Sequence, residues 1–222
     1  MFEKRISIFT GHFGSGKTEV AVNYALKLSE RYNKTAIVDL DIVNPFFRTA
    51  DVKTLLSARG LKVLVPQYAN TNVDVPSLPP DINALFEDKE YHIVFDVGGD
   101  DLGARVLSRY HRSIVEDDSV MYFVINTKRP TTLSCRGVEE AIREIEGSSR
   151  LEVGMLVNNT NLLEETTPDV IREGGEIVRA VSEKLHIPVG FVSGMEPVLG
   201  KMGEWPEIDR LYMDRHIVLP WS

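Results

Sequence analysis

The octapeptide GHFGSGKT, Gly11–Thr18, carries the strongest chemical signal in the sequence. It fits G-x-x-x-x-G-K-[ST] at every position. Glycines at this spacing let successive backbone N–H groups turn inward around an anion. Lys17 adds a mobile charge for the outer phosphates of a polyphosphate, and the Thr18 hydroxyl suits a hard divalent cation such as Mg²⁺. A chance glycine-rich turn is the alternative. The apolar strand before the loop and the amphipathic helix after it argue against chance, because that is the setting the motif requires.

Three carboxylates complete the set. Asp39 and Asp41 end the run AIVDLD. Alternate positions on a strand share a face, so both can point into one crevice. One suits Mg²⁺ through water; the other suits orienting or deprotonating an attacking water. Asp41 has the alternative of simply turning the chain. Asp96 ends the apolar run IVFD, and its alternative is to cap the following helix. Gly98 and Gly99 come next, and their backbone can approach a terminal phosphate and move when it leaves.

The elements that must position these groups alternate. Apolar runs at 5–10, 34–41, 61–66, 91–99, 119–126, 151–159 and 187–193 read as strands, and 216–220 as a final edge strand. Helical patterns occupy 18–31, 50–60, 81–89, 102–115, 131–147 (stopped by Gly147) and 167–186, where Pro168 sits in the first turn. Nearly all-apolar strands separated by helices predict a parallel sheet buried on both faces. The expected architecture is a three-layer, doubly wound α/β fold with about seven strands, mostly parallel. Its ligand crevice lies at the carboxyl ends of the strands, where the unusual residues fall.

Composition narrows the function classes. The 222 residues fit one nucleotide-binding domain over 1–222, with no repeat, linker or low-complexity stretch. A net charge of −8 and no basic patch disfavour a nucleic-acid surface. The one cysteine, Cys135, cannot by itself form a disulfide or hold zinc or an iron–sulfur cluster. No apolar run reaches membrane-spanning length, and no signal or membrane-anchoring segment is recognised, so the expected compartment is the cytoplasm.

The motifs GHFGSGKT, VDLDIVNP, FDVGGD and LVNN, in that order, resemble the MinD/ParA/CobQ-type (SIMIBI) branch of P-loop NTPases. The resemblance implies Mg²⁺–nucleotide binding and a nucleotide-controlled homodimer. The loop from Gly11 through His12, Phe13, Gly14, Ser15, Gly16, Lys17 and Thr18 to Glu19, together with Gly99, would hold the nucleotide. Thr18, Asp39 and Asp96 would serve the metal, Asp41 would position the attacking water, and Asn158 would touch the base. Dimerising members carry a second lysine early in the loop; this chain has His12 and Phe13 there. His12 replaces that lysine when protonated, or packs and hydrogen-bonds locally; Lys34, Arg48 and Lys128 are other candidates for the charge.

In the related GTPases N-K-x-D reads guanine. Here the stretch is NNTN, with Asn159 for the lysine and Asn161 for the aspartate. An amide meets two guanine donors less well than a carboxylate, whereas Asn158 can satisfy adenine, so ATP is favoured. The segment FVSGMEP would form the other wall of the base pocket, with Val192 and Ser193 closest. Two loops could meet a substrate or protein partner: NPFFRT, with Phe46 and Phe47, and the proline-bearing stretch with Tyr68, Asn70, Asn72 and Asp74. The leading expectation is a slow Mg²⁺-dependent ATPase that controls an unidentified protein partner. The alternative is an ATP-dependent transferase or ligase acting on a small carboxylate, similar to dethiobiotin synthetase.

Overall fold

The computed structural model describes residues 1–41, 52–65, 81–99, 101–203 and 208–217, with only the backbone at 101 and 102. The NPFFRT and proline-bearing loops lie outside the described residues.

Among the described residues eight strands form one sheet: β1 (Ile6–Thr10), β2 (Thr35–Leu40), β3 (Lys62–Leu64), β4 (His92–Val97), β5 (Ser119–Ile125), β6 (Met155–Asn158), β7 (Val189–Met195) and β8 (Asp209–Met213). Their order is β3-β2-β4-β1-β5-β6-β7-β8, and every neighbouring pair is parallel. The expected doubly wound α/β architecture is therefore present, with one strand more than the seven clear apolar runs. After β1 the chain builds β2, β3 and β4 on one side, then crosses to build β5 through β8 on the other. The end of β1 is the topological switch point, where such sheets open a crevice.

Burial explains the strand composition. Every residue of β1 and β2 is buried, because helices cover both faces. One core layer joins the sheet to α3 (Asp81–Glu87), α4 (Asp101–Ser108), α6 (Cys135–Ser149) and α7 (Pro168–Leu185). The opposite layer joins it to α1 (Lys17–Ser29) and α2 (Lys53–Ala58). In that layer Phe9 stacks on Tyr122 at 4.9 Å and meets Tyr24 edge-on at 4.9 Å, while Ser7 Oγ donates to Tyr24 Oη at 3.1 Å. Each such buried aromatic contributes about 1.5–3 kcal/mol. The cluster fixes α1 on β1, and with it the loop between them.

Several element boundaries differ from expectation. Among the described residues the last strand is Asp209–Met213, while 216 and 217 are not strand and 218–220 lie outside the described residues. The helix expected over 102–115 breaks into α4 and α5 (His111–Val115) at Tyr110, where φ −100 and ψ 8 leave the helical region. Gly147 does not stop α6. That helix begins after Ser134, whose hydroxyl accepts the Gly137 N–H at 3.2 Å, and ends at Arg150 in the left-handed region. Among the described residues no helix is long and apolar enough to cross a membrane.

Candidate functional site

The loop joining β1 to α1 is shaped by three glycines with positive φ: Gly11 at 153, Gly14 at 78 and Gly16 at 81. At Gly16 the need is absolute. It caps α1 in the left-handed region, and a Cβ there would stand 2.4 Å from Asn159 Nδ2. Gly16 provides no side-chain cap, so the first N–H groups of α1 face whatever lies in the loop. A Cβ on Gly99 would stand 2.2 Å from the Gly11 carbonyl oxygen. The backbone after β4 thus lies directly against the loop at Gly99.

The loop is tied down from the far side of the sheet. Asn159 Nδ2 donates to the Ser15 carbonyl at 2.7 Å, and Ser193 Oγ donates to Asn159 Oδ1 at 2.9 Å. Arg129 Nε donates to the Gly14 carbonyl at 2.9 Å. Within the loop, Ser15 N–H donates to the His12 carbonyl at 3.0 Å. These bonds hold the carbonyls of His12, Gly14 and Ser15 in place. Among the described residues the Ser15 hydroxyl is buried without a hydrogen-bond partner, as is that of Thr10. Such orphans cost about 1–3 kcal/mol each and commonly mark a site completed by an ion or ligand.

The charged groups converge as the motifs require. Asp39 and Asp96 are paired across β2 and β4, and both are buried. The Asp41 N–H donates to Asp39 Oδ1 at 2.9 Å. Lys17 Nζ lies 3.0 Å from Asp41 Oδ2. Burial alone would lower the Lys17 pKa, but Asp41, Asp96 and Asp39 more than offset it and hold the ammonium above its ordinary value. Lys17 is therefore cationic at neutral pH. Thr18, buried beside it in the first turn of α1, offers a hydroxyl. Thr18, Asp39 and Asp96 are all buried and carry hard oxygen donors of the kind Mg²⁺ takes. Among the described residues no cluster of three or more His, Cys, Asp or Glu forms a self-sufficient metal cage.

Other expected residues sit differently. Asn158 Nδ2 donates to the Ile171 carbonyl at 3.1 Å, and its Oδ1 accepts the Thr160 N–H at 3.1 Å, so this amide is occupied inside the protein. Val192 packs with Ile171, Leu199 and Met202, and Ser193 reaches the loop only through Asn159. These three side chains build the wall behind the crevice rather than its surface. The Glu19 carboxylate turns away to accept the N–H groups of His216 at 2.8 Å and Ile217 at 3.1 Å, and Asn23 ties to Asp214 beside it. His12 is half-buried with Nδ1 3.3 Å from the Phe13 carbonyl, while Phe13 is 62% exposed at the tip of the loop.

Two residues that position the loop escape sequence reasoning. Arg129 and Asn159 bond to it from 115 and 144 positions away. Asn159 stood in the NNTN stretch, but its neighbour Asn158 carried the expectation. A separate cleft of about 390 Å³ is bounded by Met1, Phe2, Lys27, Arg31 and Asp209–Tyr212. It adjoins the carboxyl-terminal turn of α1, the end remote from the loop.

No family model and no curated protein sequence matches the chain. Solved structures match its fold. The signal recognition particle 54 kDa protein from Aeropyrum pernix, in complex with GDP, aligns at a TM-score of 0.54 and 21% identity, over 84% of this chain and 40% of that one. The signal recognition particle receptor FtsY from Elizabethkingia anophelis aligns at 0.52 and 17%, over 95% and 62%. Chloroplast FtsY from Physcomitrella patens aligns at 0.54 and 15%, over 84% and 57%. The chain thus spans from 40% to 62% of the length of these proteins. They share the P-loop NTPase fold, and at this identity the fold is what the likeness establishes.

Proposed function

We propose that the protein binds a purine nucleoside triphosphate with Mg²⁺ and hydrolyses it slowly. The observation that carries this reading is the convergence of Asp41, Asp96 and Asp39 on Lys17, beside a loop whose Gly11, Gly14 and Gly16 all have positive φ. Lys17 would neutralise charge on the outer phosphates, and Asp41 would orient the attacking water and accept its proton. Thr18, Asp39 and Asp96 would hold Mg²⁺, which when bound neutralises charge developing on the phosphate oxygens. Of the two purines we favour ATP. Asn161 stands where a guanine-reading aspartate would be, and its amide already donates to the Asn159 carbonyl at 2.8 Å. We place the base against the loop 158–161, with Asn158, Val192 and Ser193 supporting it from behind.

Nucleotide state would control a protein partner, with a homodimer as one form of that control. A dethiobiotin-synthetase-like transfer to a small carboxylate is the second reading. It rests on the proline-bearing segment before α3, and screening small carboxylates for ATP-dependent product formation tests it. The primary test is phosphate release from ATP by wild type, Lys17→Ala and Asp41→Ala with Mg²⁺. Wild-type release at least about 10²-fold above both variants supports the proposal; equal rates in all three would refute it.

A further inference from the structure

We infer that Arg129 is a phosphate-contacting residue: its guanidinium forms the rim of the cradle on the side opposite the carboxylates. The inference rests on the reading of the loop as a polyphosphate site and adds a residue that no motif names.

Arg129 follows β5, which borders β1 on the side away from β4 and β2. Its Nε donates to the Gly14 carbonyl at 2.9 Å. A Cβ on Gly14 would stand 3.1 Å from Nε, 3.4 Å from Cδ and 3.6 Å from Cζ, so the guanidinium lies across this glycine. Holding the carbonyl uses a single N–H. The two terminal amines make no hydrogen bond or ion pair among the described residues, although Arg129 is half-buried. Neighbouring Lys128, by contrast, is paired with Glu173 at 2.8 Å. A guanidinium fixed at Nε, with its fork left open beside the glycine-rich loop, matches the geometry of a phosphate oxygen pair. Asp39, Asp41 and Asp96 flank the loop from β2 and β4; Arg129 supplies positive charge from β5. A polyphosphate would then lie between a metal-binding side and a guanidinium side.

Glutamine separates this role from a purely structural one. Its Nε2 occupies the same place along the side chain as arginine Nε, so Arg129→Gln keeps a donor for the Gly14 carbonyl and removes both charge and fork. Calorimetric titration with inorganic tripolyphosphate and with Mg²⁺–ATP should show wild type binding both ligands. Arg129→Gln and Arg129→Ala should each bind about tenfold or more weakly, the size of one lost charged hydrogen bond. Arg129→Lys should fall between. The melting midpoint of Arg129→Gln should match wild type. Wild-type binding with Arg129→Gln unchanged would make Arg129 a clamp on Gly14 and overturn this assignment alone. Failure of wild type to bind either ligand would overturn the reading of the loop, and this inference with it.

Discussion

The ammonium of Lys17 lies 3.0 Å from the Asp41 carboxylate, with both side chains buried. The pair has two consequences. It satisfies a buried lysine that would otherwise be costly, and it occupies the carboxylate proposed to handle water. A triphosphate would draw Lys17 away from Asp41, so binding would change the surroundings of the group proposed to handle water.

The two partners should therefore respond differently to substitution. Lys17→Ala should lose triphosphate affinity and lower phosphate release by about 10²-fold or more. Asp41→Asn should bind triphosphate at least as tightly as wild type, since it repels no phosphate and competes less for Lys17. Its turnover should fall by about 10²-fold or more. Equilibrium binding and phosphate release, measured in parallel on both variants, check this.

Loop geometry gives a second prediction. Gly99→Ala would set a Cβ 2.2 Å from the Gly11 carbonyl oxygen, a backbone atom that cannot swing aside. The loop must shift, so triphosphate affinity should fall about tenfold or more, with about 1–3 kcal/mol of stability lost. Gly147→Ala is the contrast. Nothing lies within 4 Å of its Cβ position and it sits inside α6, so it should stabilise by about 0.5–1 kcal/mol and leave binding unchanged. Chemical denaturation and calorimetry on both variants test the pair.

Asn159 should matter more than Asn158 for the loop. Asn159→Ala leaves the Ser15 carbonyl and the Ser193 hydroxyl without their present partner, at a cost of about 1–3 kcal/mol. Asn159→Asp should be worse, because it faces a carboxylate toward a carbonyl oxygen. Both should weaken triphosphate binding; the melting midpoint and the dissociation constant read the effect.

Glu19 supplies a pH dependence. Burial holds its carboxyl above the ordinary value of 4.5, only partly countered by the N–H groups of His216 and Ile217. The folded state therefore favours the protonated form. The resulting stabilisation is fully present below pH 4.5 and is lost as pH rises through the raised value. Denaturation of wild type and Glu19→Gln from about pH 4 to 8 should show wild type losing stability relative to the variant as pH increases.

Much of this site was legible because its signals are local. The glycine spacing and lysine of 11–18 dictate a loop conformation within eight residues, and carboxylates at the tips of apolar strands announce a shared edge. The parallel sheet was legible for the same reason: buried strands are apolar along their whole length. Arg129 and Asn159 were not, because their roles depend on β5 lying beside β1 and β6 lying next beyond β5, which no spacing encodes. In sequence Asn158 carried the base contact and Asn159 stood only in the place of a lysine; the fold sends their amides to different partners, the Ile171 and Ser15 carbonyls. The strand at 209–213 was not legible because β8 is an edge strand with exposed Asp209 and Tyr212, so its apolar signal is weaker than that of HIVLP.

The central claim is that the loop 11–18 grips a purine triphosphate. Calorimetric titration of wild type and Lys17→Ala with ATP and with GTP, with and without Mg²⁺, tests it directly. The account predicts ATP binding that Mg²⁺ strengthens, weaker GTP binding, and loss of both in Lys17→Ala. Absence of affinity for either nucleotide, or binding unaffected by Lys17→Ala, would contradict it.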